Sequence, residues 1–386
     1  LAVYTAATFY AFEYLEHDDR EHLFFAFWFA SMGAMLAACM ASNLVSLYLC
    51  FEMATLTSMP LVLHERTKEA TVAALKYLFY SIFGATLGLL GMFFAGTYGS
   101  TLAFTAGGVL DASKLLGRER AVQIAAFLSI AGFGAKAGLF PLHAWLPTAH
   151  PVAPAPASAV LSGVITKAGV LCIIRLIYQV WGVSFLAGTW VQTVLICLSL
   201  ITVFLGSMMA FGEDLLKKRF AFSTVSQVSY VLFGVFTMNA LSLQGALLHA
   251  AYHSIIKDGL FMAAGAIIFC THKTKVSELT GLGKKMPVTY ACLTISSLGL
   301  IGIPPFAGFL SKWYLAQGSL SEGLPVLSWL GPAVLLLSAL LTAGYLLPIS
   351  ISGFFPGAGA KEAEGHEAHP LMLVPMLVPV TIKNNL

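Results

Sequence analysis

The chain has 386 residues, of which 58% are apolar and only 10% charged, with a formal net charge of +3 and a mean hydropathy of +0.83. Soluble domains carry about 25% charged residues, so this composition excludes a soluble globular enzyme and fits a chain whose solvent is the bilayer. The small positive charge is spread over loops and implies no nucleic-acid partner.

A membrane-length hydropathy window predicts helices over 1–14, 23–41, 44–63, 72–97, 121–145, 155–180, 187–211, 220–238, 243–270, 288–316, 327–354 and 370–382. The first opens at Leu1 inside an apolar run without a basic leader or cleavage motif. It reads as the tail of a helix that begins upstream, not as a signal peptide. The loops then alternate between two sides. One collects Arg20, Arg66, Lys68, Lys217, Lys218, Arg219, Lys273, Lys275, Lys284, Lys285 and Lys361, which places it in the cytoplasm by the positive-inside rule. The other holds Lys114, Arg118 and Arg120, the one dissenting stretch.

Two spans do not read as ordinary helices. In 121–145, Gly132, Gly134 and Gly138 surround Lys136, and Pro141 follows. In 288–316, Gly299, Gly302, Pro304, Pro305 and Gly308 precede Lys312. Glycine and proline in mid-membrane free backbone groups, and broken helices of this kind line cavities. A weaker match joins the segments upstream: Ala74 to Gly84 aligns with Leu247 to Lys257, so 44–145 and 220–312 read as two copies of one unit.

Charges inside these spans carry the functional reading. A charge near the bilayer centre costs a few kcal/mol, yet Glu52, Lys136, Lys167, Lys257 and Lys312 all fall within predicted helices. His249, His253 and Lys257 are four residues apart and share one helix face. That row fits a proton relay, because imidazole titrates near neutral pH. Asp258 points about 100° away from Lys257. Glu52 has no cation nearby in sequence, so its natural partner is Lys136 from another span. Lys167 stands in a small-residue patch where helices can approach closely, and Arg175, which does not deprotonate usefully, reads as structural or as an electrostatic tuner. His143 follows Lys136 and either hands protons between Lys136 and Lys167 or caps the break. The six cysteines stand singly in apolar segments, none with Cys-x-x-Cys spacing. No metal, iron–sulfur cluster or other cofactor is expected, and without a redox or nucleotide motif the chain cannot itself carry electrons.

These residues sit in motifs that resemble the antiporter-like subunits of respiratory complex I, Mrp-type cation/proton antiporters and membrane-bound hydrogenases. The motifs are Phe51-Glu52-Met53-Ala54-Thr55-Leu56, Gly134 to His150 around Lys136, Ser158 to Gly169 around Lys167, Lys218 to Gln227, His249 to Lys257, and Gly302 to Lys312. The resemblance covers nearly the whole chain. It implies an all-α polytopic membrane protein with two inverted five-helix repeats, each with a discontinuous helix, and with the N-terminal helices missing. On that reading 1–22 is the end of a truncated helix and a loop, 23–182 the first repeat, 183–354 the second, and 355–386 a C-terminal loop and partial last helix. The implied proton-translocation residues are Glu52, Lys136, His143, Lys167, His249, His253, Lys257 and Lys312, with no catalytic residue. The implied function is a non-catalytic, proton- or cation-translocating subunit in the cell membrane. It would work within a larger redox-driven complex, beside other membrane subunits that include homologous antiporter-like ones. The alternative is a subunit of an Mrp-type antiporter without redox partners.

Overall fold

The computed structural model describes residues 1–321, 323–324, 326–357 and 363–382; Lys361, assigned above to the cationic side, lies outside them. Among the described residues the chain is built of helices, with no β-strand and only isolated bridges between loops. Leaving aside four helices of three or four residues, in chain order these are α1 (Ala2–Tyr14), α2 (Glu21–Met40), α3 (Leu44–Val62), α4 (Lys68–Tyr98), α5 (Glu119–Ala137) and α6 (Leu146–Val152). There follow α7 (Ala155–Trp181), α8 (Trp190–Gly212), α9 (Leu216–Phe236), α10 (Ala240–Thr271), α11 (Pro287–Ile301), α12 (Ala307–Leu320), α13 (Leu327–Phe354) and α14 (Pro370–Ile382). Seven of them (α2, α3, α4, α7, α8, α10 and α13) are long and apolar enough to cross a bilayer. Lipid offers the backbone no hydrogen bonds, so helices that satisfy their own are the available solution.

Side-chain size sorts the helix faces. On α4 the buried face is small, with Ala70, Ala73, Ala74, Gly84, Gly88 and Gly91, while Leu75, Phe79 and Phe93 point outward. In lipid there is no hydrophobic drive between helices, so close backbone approach carries association. A Cβ on Gly84 would stand 2.3 Å from the Gly132 carbonyl oxygen, so α4 and α5 pack backbone to backbone there. Side-chain caps at Asn43, Thr67 and Asn239 start α3, α4 and α10, as expected for these residue types.

Both predicted breaks are present. α5 stops at Ala137, and Gly138 takes a left-handed conformation with φ +82. The amides of Gly138 and Leu139 turn back to the Ala135 and Gly134 carbonyls, which satisfies the helix end. α11 stops at Ile301, and Gly302 does the same with φ +85. Each break then passes a cis prolyl bond, Phe140–Pro141 in one and Pro304–Pro305 in the other. Two features were not expected. α7 widens into π-helix at Leu161–Ile165 and again at Leu176–Trp181. α9 begins earlier than predicted, at Leu216, and is buried on nearly every side despite Ser223, Thr224, Ser226, Gln227 and Ser229.

Candidate functional site

Lys136 ends its helix at the break and is 1% exposed. It sits in the last turn of α5, where the carbonyl end of the helix favours a cation. Its Nζ donates to Thr55 Oγ1 of α3 at 2.9 Å and to the Tyr77 hydroxyl of α4. Tyr77 OH in turn bonds Ser58 Oγ at 2.7 Å, and its ring lies 4.3 Å beneath the ammonium. Phe51 supplies a second ring face at 5.7 Å. A buried cation needs this kind of saturation, because an unpaired charge in low dielectric is costly.

Glu52 is on the same helix as Thr55 but only half-buried. Among the described residues it makes no ion pair with Lys136, although the two charges interact across the gap. The Glu52–Lys136 partnership expected from the sequence acts through space, while Thr55 and Tyr77 make the direct hydrogen bonds. The reason lies in the helix: Thr55 is three residues beyond Glu52 and is turned inward, so the hydroxyl meets the lysine and the carboxylate sits to one side.

Lys167 follows directly on the first π-helical widening. Within that widening, the Ser162 carbonyl accepts from Lys167 Nζ at 2.7 Å and from Thr166 Oγ1 at 2.9 Å. Single-turn widenings of this kind are frequent at functional sites. Lys167 Nζ also meets His253 Nδ1 of α10 at 2.6 Å. His253 is 0% exposed, and its Nε2 is buried with no hydrogen-bond partner among the described residues. One turn earlier, the His249 ring is centred 6.2 Å away. His249 bonds Ser311 Oγ at 2.9 Å and Gln227 Oε1 at 3.2 Å, and it stacks on Tyr230. Two helices therefore bring Lys167, His253 and His249 into one interior row.

Lys257 lies one turn further along α10 and is 0% exposed. Its Nζ donates to the Phe220 carbonyl of α9 at 2.9 Å. Asp258 makes no ion pair with it, and its buried Oδ1 has no hydrogen-bond partner among the described residues. Lys312 belongs to the helix after the second break. It reaches back to donate to the Leu300 and Ile301 carbonyls at 2.8 and 2.9 Å, and its Nζ lies 5.0 Å over the Tyr230 ring. A lysine thus stands at each break: Lys136 in the last turn before the first, with its ammonium on Thr55 and Tyr77, and Lys312 reaching back from the following helix to the carbonyl end of the second. His143 stacks on Phe140 in the turns after the first break. It hydrogen-bonds neither Lys136 nor Lys167; its electrostatic neighbour is Lys76. Arg175 holds Gln179 and covers the Phe104 ring. Among the described residues no cluster of His, Cys, Asp and Glu could hold a metal ion.

Sequence reasoning missed Thr55, Tyr77, Ser311 and Gln227. Thr55 lies one helical turn from Glu52, Ser311 adjoins Lys312 and Tyr77 adjoins Lys76, which is a usable signal: in a membrane helix, the hydroxyl beside or one turn from an ionisable group is its nearest source of hydrogen bonds. Gln227 offers only that it is a polar amide in the apolar and hydroxyl stretch of α9 that follows its basic first turn.

A sequence profile described as "NADH:quinone oxidoreductase/Mrp antiporter, TM" matches residues 41–342. The chain belongs to this family. Among its relatives in the NADH:quinone oxidoreductase/Mrp antiporter family is NADH-quinone oxidoreductase subunit N of Desulforudis audaxviator (strain MP104C). It is 34% identical over 387 residues, covering 98% of this chain and 76% of that protein. Hydrogenase-4 component B of Escherichia coli (strain K12) is 33% identical, covering 90% of this chain but only 53% of its own length. The fold is also that of a subunit in the membrane-bound sulfane sulfur reductase, an archaeal respiratory membrane complex. That match has a TM-score of 0.82 at 26% identity and covers 99% of this chain and 62% of the other. Family membership and the seven apolar spans make this a multi-pass membrane protein.

Proposed function

We propose that the chain moves protons, or a cation against protons, across the membrane. It does so as a non-catalytic, antiporter-like subunit of a multi-subunit complex driven by redox chemistry. The observation that supports this most is the Lys167–His253 contact at 2.6 Å. It joins two titratable groups from different helices in an interior row that continues through His249 to the Tyr230 ring beneath Lys312. A merely structural amine needs a fixed acceptor such as a carbonyl, whereas an imidazole can accept a proton and pass one on from its other nitrogen. In this reading Glu52 biases Lys136 through space, and Lys167, His253, His249 and Lys257 form the central relay. Lys312 is the exit-side group, and His143 is an auxiliary one near the first break. The residue ranges 23–182 and 183–354 are two inverted copies of one half-channel. The names of the relatives, an NADH-quinone oxidoreductase subunit and a hydrogenase component, support a redox-driven assembly with other membrane subunits as partners, homologous antiporter-like ones among them.

The second reading, an Mrp-type cation/proton antiporter subunit without redox partners, is favoured by the family description itself. The deciding experiment purifies the assembled complex, identifies the co-purifying subunits, and measures proton movement in vesicles. Iron–sulfur or hydrogenase-like partners together with donor-driven acidification support the first reading. Only small membrane proteins, with sodium-driven proton movement, support the second. A purified complex that moves neither ion overturns both.

A further inference from the structure

On the side of α9 that faces α8 and α13, a second set of buried polar groups lies apart from the lysine–histidine row. α9 presents Arg219, Ser223, Ser226 and Tyr230, spaced by four, three and four residues, and α13 presents Ser338, Thr342 and Tyr345 at the same kind of spacing. Each stripe is one helix face, and Ser207 of α8 closes the seam. All seven hydroxyl side chains are 1% exposed or less. The Tyr345 hydroxyl donates to Ser223 Oγ at 2.8 Å and lies 3.3 Å from Thr342 Oγ1. Ser207, Ser226 and Ser338 form a triangle with sides of 2.8, 2.6 and 3.3 Å. Tyr230 OH donates to the Leu335 carbonyl at 2.8 Å and also interacts with the Ser338 hydroxyl. At one end stands Arg219, bound to the Glu213 and Tyr345 carbonyls at 2.7 and 3.0 Å. At the other, the Tyr230 ring stacks on His249 with centroids 5.4 Å apart and lies under Lys312. At about 1.5 Å per residue, the stripe on α9 extends about 16 Å.

We propose that these hydroxyls form a proton path joining the basic end of α9 to the Lys312–His249 site, and that Tyr230 is its inner terminus. The inference rests on the proton-translocation reading above and adds residues to it. A hydroxyl both donates and accepts, so each group takes a proton on a lone pair as it gives its own to the next. Inward passage first turns the O–H bonds that Tyr345 now gives to Ser223 and Tyr230 to the Leu335 carbonyl; a proton accepted by Ser223 then displaces its own toward Tyr345, and Tyr230 releases one to the free amine of Lys312 above its ring, so that no hydroxyl remains charged. The step between Thr342 and Ser338, one helical turn apart, needs a χ1 rotation of Thr342, whose Oγ1 now donates to the Ser338 carbonyl at 2.7 Å. Staggered χ1 wells make that rotation available. The competing use of such a seam is hydrogen-bonded association of α8, α9 and α13.

The test uses the assembled membrane complex in vesicles. Tyr345→Phe, and Ser226→Ala combined with Ser338→Ala, should slow proton pumping about tenfold, and Ser338→Thr should restore most of the rate. The solvent deuterium effect on pumping should rise in the slow variants, because proton transfer through the interrupted seam becomes the slow step; a purely structural role would not move it. Normal pumping per assembled complex in both slow-variant candidates, with only lowered thermal stability, overturns the path and leaves interhelical glue. Where the alanine pair fails to assemble, Tyr345→Phe decides, since it removes one oxygen from an unchanged ring. Lys312→Ala separates the two levels. If it abolishes pumping while Tyr345→Phe pumps normally, only the path fails; if Lys312→Ala also pumps normally, the translocation reading fails.

Discussion

Lys167 Nζ and His253 Nδ1 meet at 2.6 Å although they are 86 residues apart in sequence. The contact ties the imidazole tautomer to the charge on the lysine: a neutral amine can accept from Nδ1–H, whereas an ammonium must donate. An ammonium can donate to Nδ1 only if that nitrogen carries a lone pair, which puts the imidazole hydrogen on Nε2. Nε2 is buried without a hydrogen-bond partner among the described residues. A proton passed from Lys167 to Nδ1 therefore makes an imidazolium whose other N–H is available on the far side. The π-helical widening before Lys167 holds the lysine for this, since the Ser162 carbonyl takes a second hydrogen of the same ammonium.

The first prediction tests that link. His253→Gln keeps a side chain able to accept from Lys167 but cannot shuttle a proton, whereas His253→Ala removes both capacities. Both variants should lower proton pumping by at least about tenfold in an assembled complex. Only His253→Ala should also lower thermal stability, because it leaves a buried ammonium short of one acceptor. Pumping by His253→Gln at the normal rate would show the contact to be structural.

The Lys136 site yields a second prediction. Tyr77→Phe keeps the ring under the ammonium and removes the oxygen that ties Lys136 to Ser58. The loss of one hydrogen bond to a buried charge costs about 1–3 kcal/mol. Translocation should fall several-fold, while Ser58→Ala, which leaves the Lys136–Tyr77 bond intact, should fall less. Equal effects of the two variants, measured as pumping per assembled complex, would remove Tyr77 from the path.

Much of this architecture was legible in the sequence, and what was not has physical causes. Apolar length located the spans, and the glycine–proline clusters located both breaks because those residues act on the backbone itself, at Gly138 and Gly302 above all. The interior face of α10 followed from fourfold spacing alone. Contacts between helices were another matter. That Lys136 binds Tyr77 and Thr55 rather than Glu52 depends on how α3 and α4 rotate about their axes, which periodicity cannot supply when a helix is apolar all round. The π-helical segments of α7 left no mark, since Leu161-Ser-Gly-Val-Ile165 suits a regular helix equally well. The burial of α9 was also hidden: its serines and Gln227 suggest an exposed face, and only the bundle around it makes them interior.

Outside the membrane-spanning segments, Asp18 gives a pH-dependent prediction. It lies between α1 and α2, accepts from the Arg20 amide at 2.8 Å, and contacts His64 Nε2, beyond α3, at 2.8 Å. Burial pushes its carboxyl up, but the Arg20 amide, the His64 contact and the Arg20 charge outweigh this and hold it below the ordinary range. A group depressed in the folded state adds stability above its unfolded pKa and loses it as pH falls through the folded value. Thermal stability should therefore drop on acidification below about pH 4. Asp18→Asn should be less stable at neutral pH and should flatten that part of the curve. Superimposable curves for the two proteins would show that the Asp18–His64 contact contributes nothing.

The last prediction concerns Glu52, which influences Lys136 without touching it. Its carboxylate is half-buried on α3, and the hydroxyl of Thr55 takes the direct contact at 2.9 Å. At an effective dielectric of about 20, unit charges several ångström apart still interact by about 2 kcal/mol. That is enough to bias where a proton resides on Lys136 without fixing the lysine in place. Two consequences differ from those of a direct ion pair. Glu52→Gln, which removes the charge and keeps the shape, should cut pumping strongly and leave assembly and thermal stability near normal, because no buried partner is left unpaired. Glu52→Asp, which keeps the charge on a shorter stem, should retain part of the activity. Both are measured as proton pumping in vesicles at matched amounts of assembled complex. If Gln and Asp behave alike, charge at position 52 is not what matters. If Gln instead destabilises the protein as loss of a buried pair would, by several kcal/mol, Glu52 holds Lys136 directly and the through-space account is wrong.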